Sequence, residues 1–482
     1  MQRFSQVFNL NKSQAELDFV DIPLDTDIKL FVDPYAISIR KEAWFQECSV
    51  LINSFFQELI DCIRTENKSK AKRLLSNLSE PNETHLGHCD NESKGAGVGP
   101  KQGNELFKAL YNSAAVKTGD LKDLSDCALM VEGVGPDKVS DITINIIRNK
   151  LALYTKKQCE LYNIPVKKCS LNPYWDSESL QWVNDYYELP IYERKPILLC
   201  PKIIVRYHII LNDDNFYEHG ILNYLQAEHL NAGTALVEAL KNGNQRVTKK
   251  KLKEQDEYHK SKDFIYKFIS KHPEELSKYK EQKENEAYSA ISNAKIDNML
   301  GLSYNNPTSI LSEKLSKIPS GNDGATSYHR LCIDILNTLF YPDLSMFEKE
   351  AEIDEGRKRI DIIAANTSHC GFFFDICMKY QLRAPKIIIE CKNYSSDIEN
   401  PELDQLAGRL GSKRGVFGIL LCRQIEDKEV LIKRLRDYVN NDNKYMIVLE
   451  DSDLVSLLEY KAQDNEQAIQ DFLYSKMGDL IM

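Results

Sequence analysis

Three residues in the last third of the chain have types and spacings that could do chemistry together: Asp361, Glu390 and Lys392. Asp361 interrupts the apolar run Ile360-Asp361-Ile362-Ile363, a costly position for a carboxylate unless it is paired or binds a cation. In Ile387-Ile388-Ile389-Glu390-Cys391-Lys392, three β-branched residues lead into a carboxylate and a lysine at alternate positions. The period of two in a strand puts Glu390 and Lys392 on one face and Cys391 on the other. A phosphodiester is shielded by its own negative charge, so its hydrolysis needs a hard divalent cation to neutralise it and to lower the pKa of an attacking water. Asp361 and Glu390 would supply hard oxygen ligands for Mg2+ or Mn2+, with the backbone carbonyl of Cys391 as a further ligand. Lys392 would orient or deprotonate the water and stabilise the transition-state charge.

The elements that must position these residues are legible around them. Residues 328–339 read as a helix with Leu331, Ile335 and Leu339 on one face. A strand-like run ending at Ile353, the polar turn 354–358 and a second strand over 359–363 read as a hairpin. After the strand bearing Glu390, residues 401–410 read as a helix, with Pro401 just inside its start and acids in its first turn. A basic, Gly-rich turn over 409–415 leads into a strand over 416–422, with Arg423 at its end.

An Asp on one strand followed by Glu-x-Lys on the next, after a helix and before another, resembles the PD-(D/E)xK or restriction-endonuclease-like nuclease superfamily. The resemblance covers about the final third of the chain. It implies an α/β fold whose C-terminal part is a mixed sheet flanked by helices, and a magnesium- or manganese-dependent endonuclease acting on nucleic acid, DNA before RNA. It assigns catalysis to Asp361, Glu390, Lys392 and Gln405, the last falling where relatives carry a glutamine near the metal or phosphate. The metal falls to Asp361, Glu390 and Cys391. Within the same reading Arg409, Lys413, Arg414 and Arg423 contact backbone phosphates. The chain departs from the pattern twice. Where many relatives have a glutamate on the first helix as an extra ligand, the matching place holds His329, with Asp334 a little further on, and Ile360 stands where the name-giving proline would be. The competing account of Asp361, Glu390 and Lys392 is a buried structural ion pair.

A chain of 482 residues is too long for one hydrophobic core. Composition shifts divide it into a mixed α/β domain over 1–230, a helical connector over 231–320, rich in Lys, Glu and Gln, and the nuclease-like domain over 321–482. The turn-forming residues 319–324 mark the last boundary. With 42% apolar and 28% charged residues, and a mean hydropathy of -0.43, the chain reads as globular rather than disordered. No apolar run approaches the roughly 20 residues that span a bilayer, and the first residues lack a secretory pattern, so a cytoplasmic protein with no membrane partner is expected. Twelve cysteines without a Cys-x-x-Cys pair argue against a disulfide framework and a zinc ribbon, and His85-x-x-His88-Cys89 reads as a loop. A net charge of -10 gives no global electrostatic case for nucleic-acid binding, which must rest on local patches.

Outside the last third, the signals are slighter. Lys249-Lys250-Lys251-x-Lys253 reads as a solvated helix face, with phosphate contact as the alternative. Gly133-Val134-Gly135-Pro136 is similar to helix-hairpin-helix turns, and residues 95–101 form a Gly-rich loop without the Gly-Lys-Ser/Thr of a phosphate loop. Asp141 with Cys200-Pro201-Lys202 raises a degenerate second copy of the nuclease fold. The first domain loosely resembles N-terminal parts of uncharacterised bacterial proteins fused to such nucleases, which implies a sensor or assembly domain through which a homo-oligomer or partner protein would contact the chain. The expected role is an effector of restriction or anti-phage defence. The alternatives are a non-catalytic nucleic-acid-binding or scaffold protein on a degenerate nuclease fold, and a housekeeping repair or RNA-processing nuclease.

Overall fold

A computed structural model describes residues 2–87, 100–119, 121–242, 244–304, 306–353 and 358–481. The His88-Cys89 pair, Gly95, Gly97 and Gly99 of the Gly-rich loop, and the polar turn at 354–357 lie outside the described residues.

Two long helices organise the first core. In α1 (Ala43–Arg64), Phe45, Cys48, Ile52, Phe55, Phe56, Leu59 and Ile63 recur every three or four residues and are buried. In α2 (Pro136–Tyr162), Pro136 opens the helix and Asn163, in the left-handed conformation at φ 54, closes it. The strand-like runs of this region do not build a large sheet. Among the described residues Phe31–Val32 pairs only with Val205–Arg206, and the other runs there form two-stranded ribbons. Residues 197–204 are buried chain, apolar except for Lys202, whose groups bond one at a time to separate partners, such as Leu198 N to Glu83 O at 2.7 Å and Leu199 N to Thr155 Oγ1 at 2.9 Å. Asp141 lies on α2 and Lys202 in a 3-10 turn, so the described residues of this region hold no sheet that joins them, contrary to the expectation of a second copy.

The stretch expected as a connector divides between two cores. Val247, Leu252, Ile265, Phe268, Tyr279 and Ile296 pack into the first, whereas Leu311 and Leu315 of helix Thr308–Lys317 pack into the second. Each helix carries one apolar face, and each face is buried against the nearer core.

The second core surrounds a five-stranded mixed sheet: β1 (Leu344–Ile353), β2 (Lys358–Asn366), β3 (Lys386–Lys392), β4 (Phe417–Cys422) and β5 (Tyr445–Glu450), in that spatial order. β1, β2 and β3 run antiparallel to their neighbours, and β3, β4 and β5 run parallel. The parallel strands are buried nearly end to end because helices flank them. These helices are α3 (Asn322–Phe340) before the sheet, α4 (Gly371–Met378) and α5 (Asn400–Ala407) between strands, α6 (Lys428–Asp442) before β5, and α7 (Asp451–Ala462) and α8 (Glu466–Ile481) after it. The chain is thus mixed α/β, and among the described residues no helix is long and apolar enough to cross a membrane.

Polar groups join the two cores. The Asp18 carboxylate accepts from Tyr154 OH at 2.7 Å in the first and from Met346 N at 3.0 Å on β1. Arg40 donates to Thr367 O at 3.3 Å, and Lys12 forms an ion pair with Asp334 on α3. Burial pushes the Asp334 carboxyl up to about 6, with Lys12 opposing. Because its folded pKa lies above the unfolded one, Asp334 weakens the fold once ionised, and Lys12 offsets this. Replacing Lys12 by Ala should cost about 3–5 kcal/mol at pH 8. The loss should shrink as pH falls below about 6 and Asp334 takes a proton. Urea unfolding of both proteins at pH 5 and pH 8 measures this, and equal losses at the two pH values would contradict it.

Candidate active site

The register of β2 and β3 brings Asp361 and Glu390 together. Ile362 lies opposite Ile389, so the next rung places Asp361 against Glu390 on one face. The Cys391 N–H donates to Asp361 Oδ2 at 3.0 Å. Glu390 is fully buried. Lys392, two residues on and on the same face, donates from Nζ to Glu390 Oε1 at 2.9 Å and to Gln405 Oε1 at 2.7 Å. Gln405 arrives from α5, whose start is fixed by Pro401 and by Glu402 Oε2 accepting from Glu399 N at 3.1 Å. The other oxygen of Glu390 faces the Arg409 guanidinium in an ion pair. Burial lowers the Arg409 pKa, with Asp361 opposing, so this guanidinium answers to both carboxylates.

The first helix contributes His329 rather than Asp334. His329 Nε2 lies 4.0 Å from Asp361 Oδ2, and its ring bonds to the Cys391 backbone. Burial lowers the His329 pKa more than Asp361 raises it, which favours the neutral imidazole. Asp334, one turn and a bit further on, points to Lys12 and the first domain. Helix α3 is tied to the end of β3 by Asn393, which donates to Pro319 O at 2.9 Å and Gly321 O at 2.7 Å while its carbonyl accepts from Gly321 N. Gly324 permits this approach, since a Cβ there would stand 2.0 Å from Pro319 O.

The four expected phosphate contacts separate. Arg409 is turned inward onto Glu390. Arg423 is also internal, with Nε 2.9 Å from Asp451 Oδ2 and its guanidinium 5.2 Å from the Tyr328 ring centroid, so it braces α3 and α7. Lys413 is exposed, and Arg414 is half-buried with Nε donating to Arg409 O at 2.8 Å. Further away, Lys249, Lys251 and Lys253 are engaged by Glu218 and Glu238. The Gly133 turn does join two helices, but its Val131 and Val134 carbonyls accept from Lys262.

Sequence reasoning missed Asn393 and Glu350. Glu350 on β1 lies between the pairs Lys349–Ile362 and Ala351–Ile360, level with Asp361. Its hydrogen bond to Lys349, helped by Arg359 and His329, keeps its carboxyl low despite partial burial. The alternation Lys349-Glu350-Ala351-Glu352-Ile353 held that signal, but the irregular register after Ser345 hid its phase.

Among the described residues, no three His, Cys, Asp or Glu side chains gather as a metal-holding group. What converges is two carboxylates, the backbone N–H of Cys391 and a guanidinium paired with Glu390. The hard carboxylate oxygens of Asp361, which is partly exposed, and Glu390 are of the chemical type that suits a hard divalent cation.

Residues 9–212 match a family described as Domain of unknown function (DUF8370). That match lies within the first core and ends well before Asp361. A stretch of 117 residues, 24% of the chain, is 28% identical to the Escherichia coli (strain K12) protein named "Putative transposon gamma-delta 80.3 kDa protein". The chain spans only 16% of that relative's length. No solved structure matches the chain.

The contrast between the two carboxylates generates a test. Glu390→Ala strands Lys392 and Arg409 in a buried site and should cost about 3–5 kcal/mol. Asp361, 19% exposed with one backbone hydrogen bond, should cost no more than about 2 kcal/mol when replaced by Ala. Chemical unfolding without divalent cation compares them, and the reverse ranking would contradict this account of the site.

Proposed function

We propose that the C-terminal domain is a metal-dependent nuclease of the restriction-endonuclease-like kind, hydrolysing phosphodiester bonds of nucleic acid. The observation that carries this reading is the Lys392 ammonium held between Glu390 and Gln405, with Asp361 one strand away on the same face. Asp361, Glu390 and the Cys391 carbonyl would hold Mg2+ or Mn2+, which when bound neutralises the phosphate and acidifies water. Lys392 works beside it. Its two acceptors aim the ammonium along the strand face, where it orients the attacking water and meets the charge that grows on the phosphorus oxygens. Gln405 keeps Lys392 from collapsing wholly onto Glu390. Neutral His329 accepts or relays a proton near Asp361.

DNA is the first substrate to try, since the relative described above is named for a transposon, a mobile DNA element. A role in restriction or anti-phage defence, with the first domain sensing a trigger or assembling the effector, extends this reading by analogy with the uses of such domains. One observation favours a second reading, a non-catalytic nucleic-acid-binding protein: both Glu390 oxygens already face cations of the chain itself.

Full-length protein incubated with plasmid, linear DNA and RNA, in magnesium or EDTA, separates the two. Cleavage should require the metal. Lys392→Ala should lower the rate by a factor on the order of 100 or more while Mn2+ still binds. A folded Lys392→Ala protein that cuts at the wild-type rate would sink the assignment.

A further inference from the structure

The site carries its own cations, and its charges balance, with Glu350 beside Asp361 already paired to Lys349. Asp361 and Glu390 are matched by Lys392 and Arg409. A divalent cation added to this set leaves a surplus of positive charge in a largely buried place, which is costly. One resident cation must therefore move, or a phosphate must arrive.

The two residents are not equally held. Lys392 has a second acceptor in Gln405 and sits on a buried strand. Arg409 Nη1 has no hydrogen-bond partner beyond its ion pair with Glu390. Its backbone lies just after α5, two residues before a small loop closed by mutual Gly411–Gly415 hydrogen bonds of 2.8 Å. Close to it in the chain, Lys413 is exposed and Arg414 half-buried. A guanidinium fork released there can take a phosphodiester through two parallel hydrogen bonds.

We propose that Arg409 is a built-in counter-cation: it holds Glu390 in the metal-free protein and opposes metal loading until a phosphodiester arrives to take its guanidinium. Metal and nucleic acid then bind cooperatively, each strengthening the other, because both favour the arrangement in which Arg409 has left Glu390. Arg409 contacts the substrate phosphate directly in this scheme. The scheme rests on the metal-dependent nuclease reading.

The test is Mn2+ binding by calorimetry to full-length protein without nucleic acid, for wild type, Arg409→Gln, Asp361→Ala and the double variant. Removing a like charge a few ångströms from the cation should tighten Mn2+ binding at least about tenfold in Arg409→Gln. Asp361→Ala should abolish that gain, and Arg409→Gln should cut nucleic acid more slowly than wild type despite its tighter metal. A brace would behave otherwise, since losing it would weaken metal binding. Unchanged or weaker Mn2+ binding in Arg409→Gln, with Asp361→Ala still abolishing binding in wild type, overturns the counter-cation and leaves the nuclease reading standing. No Mn2+ binding in either protein, or binding indifferent to Asp361, overturns both. If Arg409→Gln does not fold, Arg409→Met replaces it: the charge is again removed while the side chain keeps its apolar bulk, so Mn2+ should again bind more tightly than to wild type. An affinity equal to wild type there overturns the proposal.

Discussion

A fully buried carboxylate, Glu390, sets the terms for the C-terminal domain. Moving an ionised carboxylate out of water costs several kcal/mol, repaid only by close, well-oriented positive charge. Lys392 on the same strand and Arg409 after the following helix provide it. The rest of the domain follows from holding them there. β3, β4 and β5 are apolar and buried almost throughout, so polar side chains gather at the end of the sheet where β3 runs out. Gln405 from α5 accepts a second hydrogen bond from Lys392.

A second requirement is that α3 reach the same end of the sheet. Asn393 binds the turn before α3, and Gly324 lets the helix start close against it. His329 thereby comes within 4.0 Å of Asp361. The same helix carries Asp334 to the other core, where Lys12 meets it. One helix thus touches the face that carries Asp361 and, at the other core, Lys12. Its placement depends on two polar ties made by residues far apart in the chain.

The first core obeys a different rule. It is built on long amphipathic helices, with extended apolar segments threaded between them and bonded piecemeal. Strand-like sequence there records burial rather than pairing. A run such as 197–200 is apolar because it is enclosed, and its backbone groups find side chains and loops instead of a neighbouring strand.

Local periodicity alone determined much of the last third. The alternation around Glu390, the interruption at Asp361 and the helix start at Pro401 fix which residues share a face, because side-chain direction follows from backbone geometry within a few residues. The order of helix, hairpin, strand, helix and strand followed from the same signals. Only the tertiary structure decided which long side chains meet. Arg409 and Arg423 look alike in sequence as basic residues beside a strand, yet one turns onto Glu390 and the other braces Asp451. His329 and Asp334 lie five positions apart on α3, and only the helix's orientation between two cores sends one to Asp361 and the other to Lys12. The helical stretch over 231–320 read as one unit by composition, but the two cores divide it according to which one each apolar face can reach. In each case the deciding quantity is the distance between groups remote in sequence, set by how helices pack on the sheet, and no local pattern encodes it.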